Sequence, residues 1–203
     1  QQAMWGRYSS STESTMDRDL GVLEAGGLDG MIADLELTRG TLRVRPEDFD
    51  SHTMGSRFYP VLYMLTRVND ALDFGTGLPL SQHLLGKGSS LEVHHIFPKA
   101  LLYDEDYQRP QVNAVANFAF LTSASNKSLG KRPPSEYFDE VATANARVLA
   151  SQWIPTDRSL WDSHRYLDFL EARRQLLAAA ANALLDGLSG DAVGADVAGS
   201  GGS

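Results

Sequence analysis

The 203-residue chain has no cysteine. That excludes disulfide staples, thiolate zinc ribbons and cysteine nucleophiles together, and it fits a reducing cytoplasm. No run of about eighteen apolar residues occurs, so nothing reads as a membrane-spanning helix. No basic stretch followed by an apolar one opens the chain, so nothing reads as a signal peptide. Positive charge is scarce. Lysine and arginine number 18 against 26 acidic residues, for a net charge of −8. A broad nucleic-acid-binding face is usually basic, and this balance argues against one. It leaves room for a local basic patch acting with a divalent cation. An initiator methionine is also missing: the chain opens Gln1-Gln2-Ala3, as expected of a fragment of a longer protein.

What is present describes a globular chain. Apolar residues make up 42% and charged residues 22%, and the length allows one large domain with a sizeable core. Helical spacing dominates the first third. Met16, Leu20 and Leu23 share a face until Gly26-Gly27, and Leu28, Met31, Ile32 and Leu35 repeat the pattern until Gly40. Residues 41–54 are polar, contain Pro46 and read as loop. Val61, Leu65, Val68 and Leu72 line a third helix closed by Gly75 and Gly77.

The pattern changes near residue 89. Leu91-Glu92-Val93-His94-His95-Ile96-Phe97 is short, rich in β-branched and aromatic residues, and bounded by Pro98, which predicts a strand. Phe118-Ala119-Phe120-Leu121 predicts a second strand, and residues 123–129 a short helix stopped at Gly130. Pro133-Pro134-Ser135 opens another helix, expected to run to about Ala150, and the last is expected over about Tyr166–Leu188. The fold class is therefore α+β, mostly α. The expected domain covers 1–188, with a flexible Gly/Ala/Ser-rich tail at 189–203. Gly86-Lys87-Gly88-Ser89 superficially suggests a phosphate loop. The required earlier glycine is absent, since position 81 is serine, and Gly88 stands where serine or threonine is needed.

One ordered set of residues carries chemistry: His94-His95-Ile96-Phe97-Pro98, then Asn117, then Asn126-Lys127, on strand, strand start and helix. Phosphodiester hydrolysis needs a deprotonated water, stabilisation of charge at phosphorus and help for the leaving oxygen. A neutral imidazole is a suitable base near pH 7, and a divalent cation meets the other two needs. Neighbouring residues on a strand point to opposite faces, so bringing both histidines to one pocket requires a distorted strand. A His-His pair alone is a weak signal, because histidines often pack in cores. Asn117 also fits a turn cap, and Asn126 a helix N-cap or surface residue. The order and context of the whole set favour a ββα-metal site embedded between helices.

These residues, with the segment from Asn113 to Leu121 and Arg132-Pro133-Pro134, resemble the HNH nuclease domain at the C-terminus of GmrSD-type bacterial restriction proteins. SspE-type anti-phage defence proteins look similar. The motif core covers residues 91–134. The resemblance implies a metal-dependent DNA endonuclease of restriction or defence, preceded in the full protein by an N-terminal nucleotide-hydrolysing sensor domain. It implies that His95 is the general base and that Asn117 orients the base and braces the loop. It implies that His94 and Asn126 are ligands for Mg²⁺ or Mn²⁺, and that Lys127, Lys131 and Arg132 lie where a phosphate is held. One departure stands out: a histidine and an asparagine bring no formal negative charge to the metal. The alternatives are a DNA-binding or regulatory module whose nuclease is inactive alone, and a ribonuclease. Asp104-Glu105-Asp106 reads as a solvated acidic loop, His52, His83 and His164 as surface or capping residues, and Trp153 and Trp161 as core anchors.

Overall fold

A computed structural model describes Arg7 and residues 12–52, 55–81 and 90–195, the last seven of these by backbone alone. The Gly86–Ser89 loop, His83 and residues 196–203 lie outside the described residues. The chain divides into two units, residues 1–44 and 45–203.

The first unit is helix α1, Thr12–Arg39, broken at Gly27, whose φ of 62° no helix interior adopts. The break falls where the Gly26-Gly27 pair predicts it. Arg7 bonds both Asp19 and Asp34, one carboxylate from each side of the break. Of the apolar stripe read from the sequence Leu35 is buried, but the part before the break is not: Met16 is 52% and Leu20 56% exposed. Periodicity fixes which face of a helix is apolar but not what covers it.

The second unit opens with a single 3-10 turn, Pro46–Phe49. Helix α2, Tyr59–Val68, buries Val61 and Leu65 but leaves Val68 exposed and ends before Leu72. Strand β1, Leu91–His95, is followed by the short helices α3, Lys99–Asp104, and α4, Arg109–Val112, in a segment read as loop. Strand β2, Phe118–Thr122, runs straight into α5, Ser123–Leu129. Helix α6, Pro134–Ala144, stops short of the expected Ala150, and α7, Val148–Ser151, follows it. Helix α8 is Tyr166–Ala195.

The two strands pair antiparallel, residue for residue, from Leu91 opposite Thr122 to His95 opposite Phe118. The expected distortion is therefore not there: no extra residue interrupts the ladder. With a side-chain period of two, Glu92 and His94 share one face and Val93 and His95 the other. Helix α5 crosses the His94 face; Phe118, Tyr59, Phe120 and Tyr63 form an aromatic chain on the His95 face.

The core gathers Ile96, Phe97, Leu102, Leu121, Tyr137, Phe138, Trp161, Tyr166 and Phe169. Trp161 is a core anchor, its indole donating to the Pro155 carbonyl at 2.9 Å. A fully buried cation lies within this core. The Arg173 guanidinium of α8 donates to the carbonyls of Ala116, at 2.7 Å, and Gln152, at 3.3 Å. Gln152 in turn donates to Leu72 and Phe120. Desolvation pulls the Arg173 pKa down to about 9. Arginine tolerates such a place because its charge is diffuse and its fork can satisfy several carbonyls at once.

Candidate functional site

The site is built on the end of β1 and the start of α5. Thr122 caps α5, its hydroxyl accepting from Ser125 N. The stronger hold comes from Asp73, which is fully buried. Its carboxylate accepts from Thr122 N at 2.8 Å, Thr76 N at 2.9 Å, the Thr76 hydroxyl at 3.0 Å and the Ser125 hydroxyl. A carboxylate satisfied by four donors tolerates burial, and its charge also suits a helix N-terminus. Gly75 lets this loop close down. A Cβ there would overlap the Ser125 side chain. The clamp sets α5, and hence Asn126, over β1.

On the α5 face of β1, His94 is 2% exposed and both ring nitrogens have partners. Nδ1 lies 2.9 Å from Asn126 Oδ1, and Nε2 lies 3.3 Å from the Tyr137 hydroxyl. Asn126 Nδ2 donates to Glu92 Oε2 at 2.9 Å. The two residues that the resemblance makes ligands thus meet directly. The negative charge that this pair lacks stands beside it, on Glu92, two residues earlier on the same strand face. Hydrogen bonds from Asn126 and Ser123 hold the Glu92 carboxyl below its ordinary pKa, so it is ionised at neutral pH. One imidazole nitrogen, one amide oxygen and one carboxylate suit a cation such as Mn²⁺ or Mg²⁺. Among the described residues no group of three or more His, Asp or Glu gathers as a metal cluster would.

On the opposite face, the His95 ring stands edge-on to Phe118, centroids 4.8 Å apart. Asn113 acts on the ring to raise its pKa, against the larger effect of burial, while its own amide nitrogen donates to the Arg109 carbonyl at 2.9 Å. His95 Nε2 is buried without a hydrogen-bond partner. An unpaired buried ring nitrogen is costly.

Asn117 makes no hydrogen bond to His95. Its oxygen accepts from Phe97 N at 2.9 Å, and its nitrogen donates to the carbonyls of Phe97 and Val112, both at 3.2 Å. Ile96 N also donates to the Asn117 carbonyl. Asn117 thus braces the turn leaving β1.

The basic residues divide. Lys127 and Lys131 are exposed, and Lys127 acts electrostatically on Glu92. Arg132 is engaged elsewhere: its fork holds Glu140 at 2.6 and 2.9 Å and the Glu136 carbonyl at 2.7 Å. It is therefore the least available of the three for phosphate. Of the acidic loop, Asp104 and Asp106 are exposed, and Glu105 accepts from the Ser163 hydroxyl. His52 and His164 are exposed.

Sequence reasoning missed Asp73, Glu92, Asn113 and Tyr137. For Glu92 a signal existed: it stands two residues before His94, on the same face of a strand. The other three carry no local mark.

Both histidines resist protonation. Desolvation pushes the His95 pKa down to about 4, the Lys99 charge adds to it, and the Asn113 bond opposes it. Burial lowers His94 as well, opposed by Asn126 and assisted by Arg173. The ordinary value is 6.5. Below it the unfolded chain binds protons that the native rings refuse, so stability falls as the pH drops from about 6.5 toward 4. In urea titrations the unfolding midpoint is expected to be lower at pH 5 than at pH 7, and His95→Gln should flatten part of that slope. An unchanged slope in the variant would mean that His95 titrates normally.

No family model matches the sequence, and no solved structure matches it. The chain is similar to an uncharacterized protein of Methanocaldococcus jannaschii, 26% identical over 142 residues, which cover 66% of this chain and 23% of that protein. The chain thus spans less than a quarter of that relative's length.

Proposed function

We propose that residues 91–134 are the catalytic centre of a metal-dependent DNA endonuclease in which His95 activates water. The observation that carries this reading is the meeting of His94 and Asn126 at 2.9 Å across β1 and α5; His95, whose Nε2 has no partner, is the last paired residue of β1 and stands on its opposite face, so joint action on one phosphate requires the strand end to twist. His95 is neutral at pH 7, since its pKa is about 4, so it has the unprotonated nitrogen that a general base requires once water reaches it. Asn117 holds the strand end that presents the ring. His94, Asn126 and Glu92 are the residues that would hold the cation. When bound, it would stabilise charge on the phosphate and on the leaving oxygen. Lys127 and Lys131 are the side chains left to meet the phosphate backbone. DNA as substrate, a restriction or anti-phage role and a sensor domain on the same protein rest on the resemblance to GmrSD-type and SspE-type proteins.

The test is conversion of supercoiled plasmid to nicked circles with Mg²⁺ or Mn²⁺ and with chelator, with RNA run alongside. The expected result is DNA nicking that chelator abolishes. The net charge of −8 favours one other reading, a DNA-binding module that does not cut. Binding without cleavage under every metal, weakened steeply by salt, would establish that reading instead. Cleavage confined to RNA would make the domain a ribonuclease.

A further inference from the structure

Tyr137 of α6 is fully buried between the rings of Phe74 and Phe138. Its hydroxyl lies 3.3 Å from His94 Nε2 and 3.3 Å from the Ile96 carbonyl oxygen. It has one proton and two acceptors within reach, and the choice between them propagates. If the hydroxyl donates to His94 Nε2, the ring proton must be on Nδ1, which then donates to Asn126 Oδ1. Both ring nitrogens are then satisfied, and His94 offers no lone pair to a cation. If the hydroxyl donates to Ile96 instead, its oxygen accepts from a protonated Nε2, and Nδ1 becomes a lone pair. Asn126 cannot turn to meet it, because its Nδ2 is committed to the Glu92 carboxylate at 2.9 Å. Two acceptors, Nδ1 and Oδ1, then face each other 2.9 Å apart. That arrangement is repulsive when nothing stands between them and is a ligand pair when a cation does.

We propose that Tyr137 is a positioning residue whose hydroxyl selects the tautomer of His94, pointing at His94 without a cation and at Ile96 with one. The change moves one proton off Nδ1 and puts one on Nε2, so the ring stays neutral throughout. Partners of the distal nitrogen of a metal-bound histidine commonly set its tautomer in this way. The proposal rests on the metal-site reading above and adds to it a residue that touches neither cation nor substrate.

The experiment uses the whole chain, labelled with ¹⁵N, and reads the His94 ring nitrogens by NMR with and without Mg²⁺. Mn²⁺ affinity is measured by calorimetry in parallel. Wild type is expected to change from the Nδ1-protonated to the Nε2-protonated form as Mg²⁺ saturates. Tyr137→Phe keeps the ring and removes only the hydroxyl. It is expected to hold His94 in the Nδ1-protonated form and to weaken Mn²⁺ binding by about 10- to 100-fold. Glu92→Gln separates charge from tautomer: it should weaken Mn²⁺ while leaving the tautomer change intact. Equal Mn²⁺ affinity in wild type and Tyr137→Phe overturns the role of Tyr137 and leaves the metal site standing. A wild-type ring that keeps one tautomer at saturating Mg²⁺ does the same, and that spectrum decides the matter even if the variant does not fold. A wild type that binds neither cation overturns both the proposal and the reading beneath it.

Discussion

Metal-dependent nicking by His95→Ala is expected to fall at least about 10²-fold below wild type, the usual scale for loss of a general base. The fold should survive the change. His95 is at the last paired position of β1, opposite Phe118. It contributes an edge contact to that ring, and its Nε2 satisfies nothing. Removing it relieves an unpaired buried ring nitrogen, so the destabilisation should be smaller than truncating a well-packed core residue would cause. Circular dichroism and urea midpoints on the same preparation separate lost chemistry from lost structure. Asn113→Ala should lower the rate less, because it loosens the base without removing it. If His95→Ala nicks as fast as wild type, another group takes the proton and His95 is a core histidine after all.

Asp73→Ala is expected to be the most destabilising single change near the site, by at least about 3 kcal/mol, since hydrogen bonds to a charged group each contribute roughly 1.5–3 kcal/mol. The substitution strands the amides of Thr122 and Thr76 and the hydroxyls of Ser125 and Thr76. These groups join the loop before residue 77 to the β2–α5 junction, so α5 loses its anchor and Asn126 its place above His94. Nicking and Mn²⁺ binding should fall together with the urea midpoint. Asp73→Asn keeps one oxygen but turns an amide toward donors, and should fall between alanine and wild type. A midpoint for Asp73→Ala close to that of wild type would show that water replaces the carboxylate and that the helix is held by other contacts.

Much of the local architecture was legible beforehand because it is written in short-range patterns. The β-branched and aromatic composition of 91–97 and 118–121 marked both strands, and Gly130 marked the end of α5. Where the reading failed, longer-range packing decided. The stretch around Asp104-Glu105-Asp106 reads as loop because the helical turns of α3 and α4 beside it are too short to show periodicity. Val68 and Leu72 looked like a continuation of the α2 stripe, but Val68 is 56% exposed and Leu72 lies outside the helix. Asn117 is expected to orient the base and brace the loop; its bonds to Phe97 and Val112 do the bracing, and none of them reaches His95.

By itself the sequence determined the chemical inventory in order: two histidines on a strand, an asparagine at the next strand's start, and another on the helix after it. The expectation that the strand distorts to bring both histidines to one pocket was not met, because the ladder stays regular through His95 and leaves the two rings on opposite faces. Which face received Asn126 was settled only by folding. Asp73 reaches Thr122 across 49 residues and Tyr137 reaches His94 across 43. Such contacts leave no trace in local spacing, because they depend on how whole elements pack rather than on what stands three or four residues away.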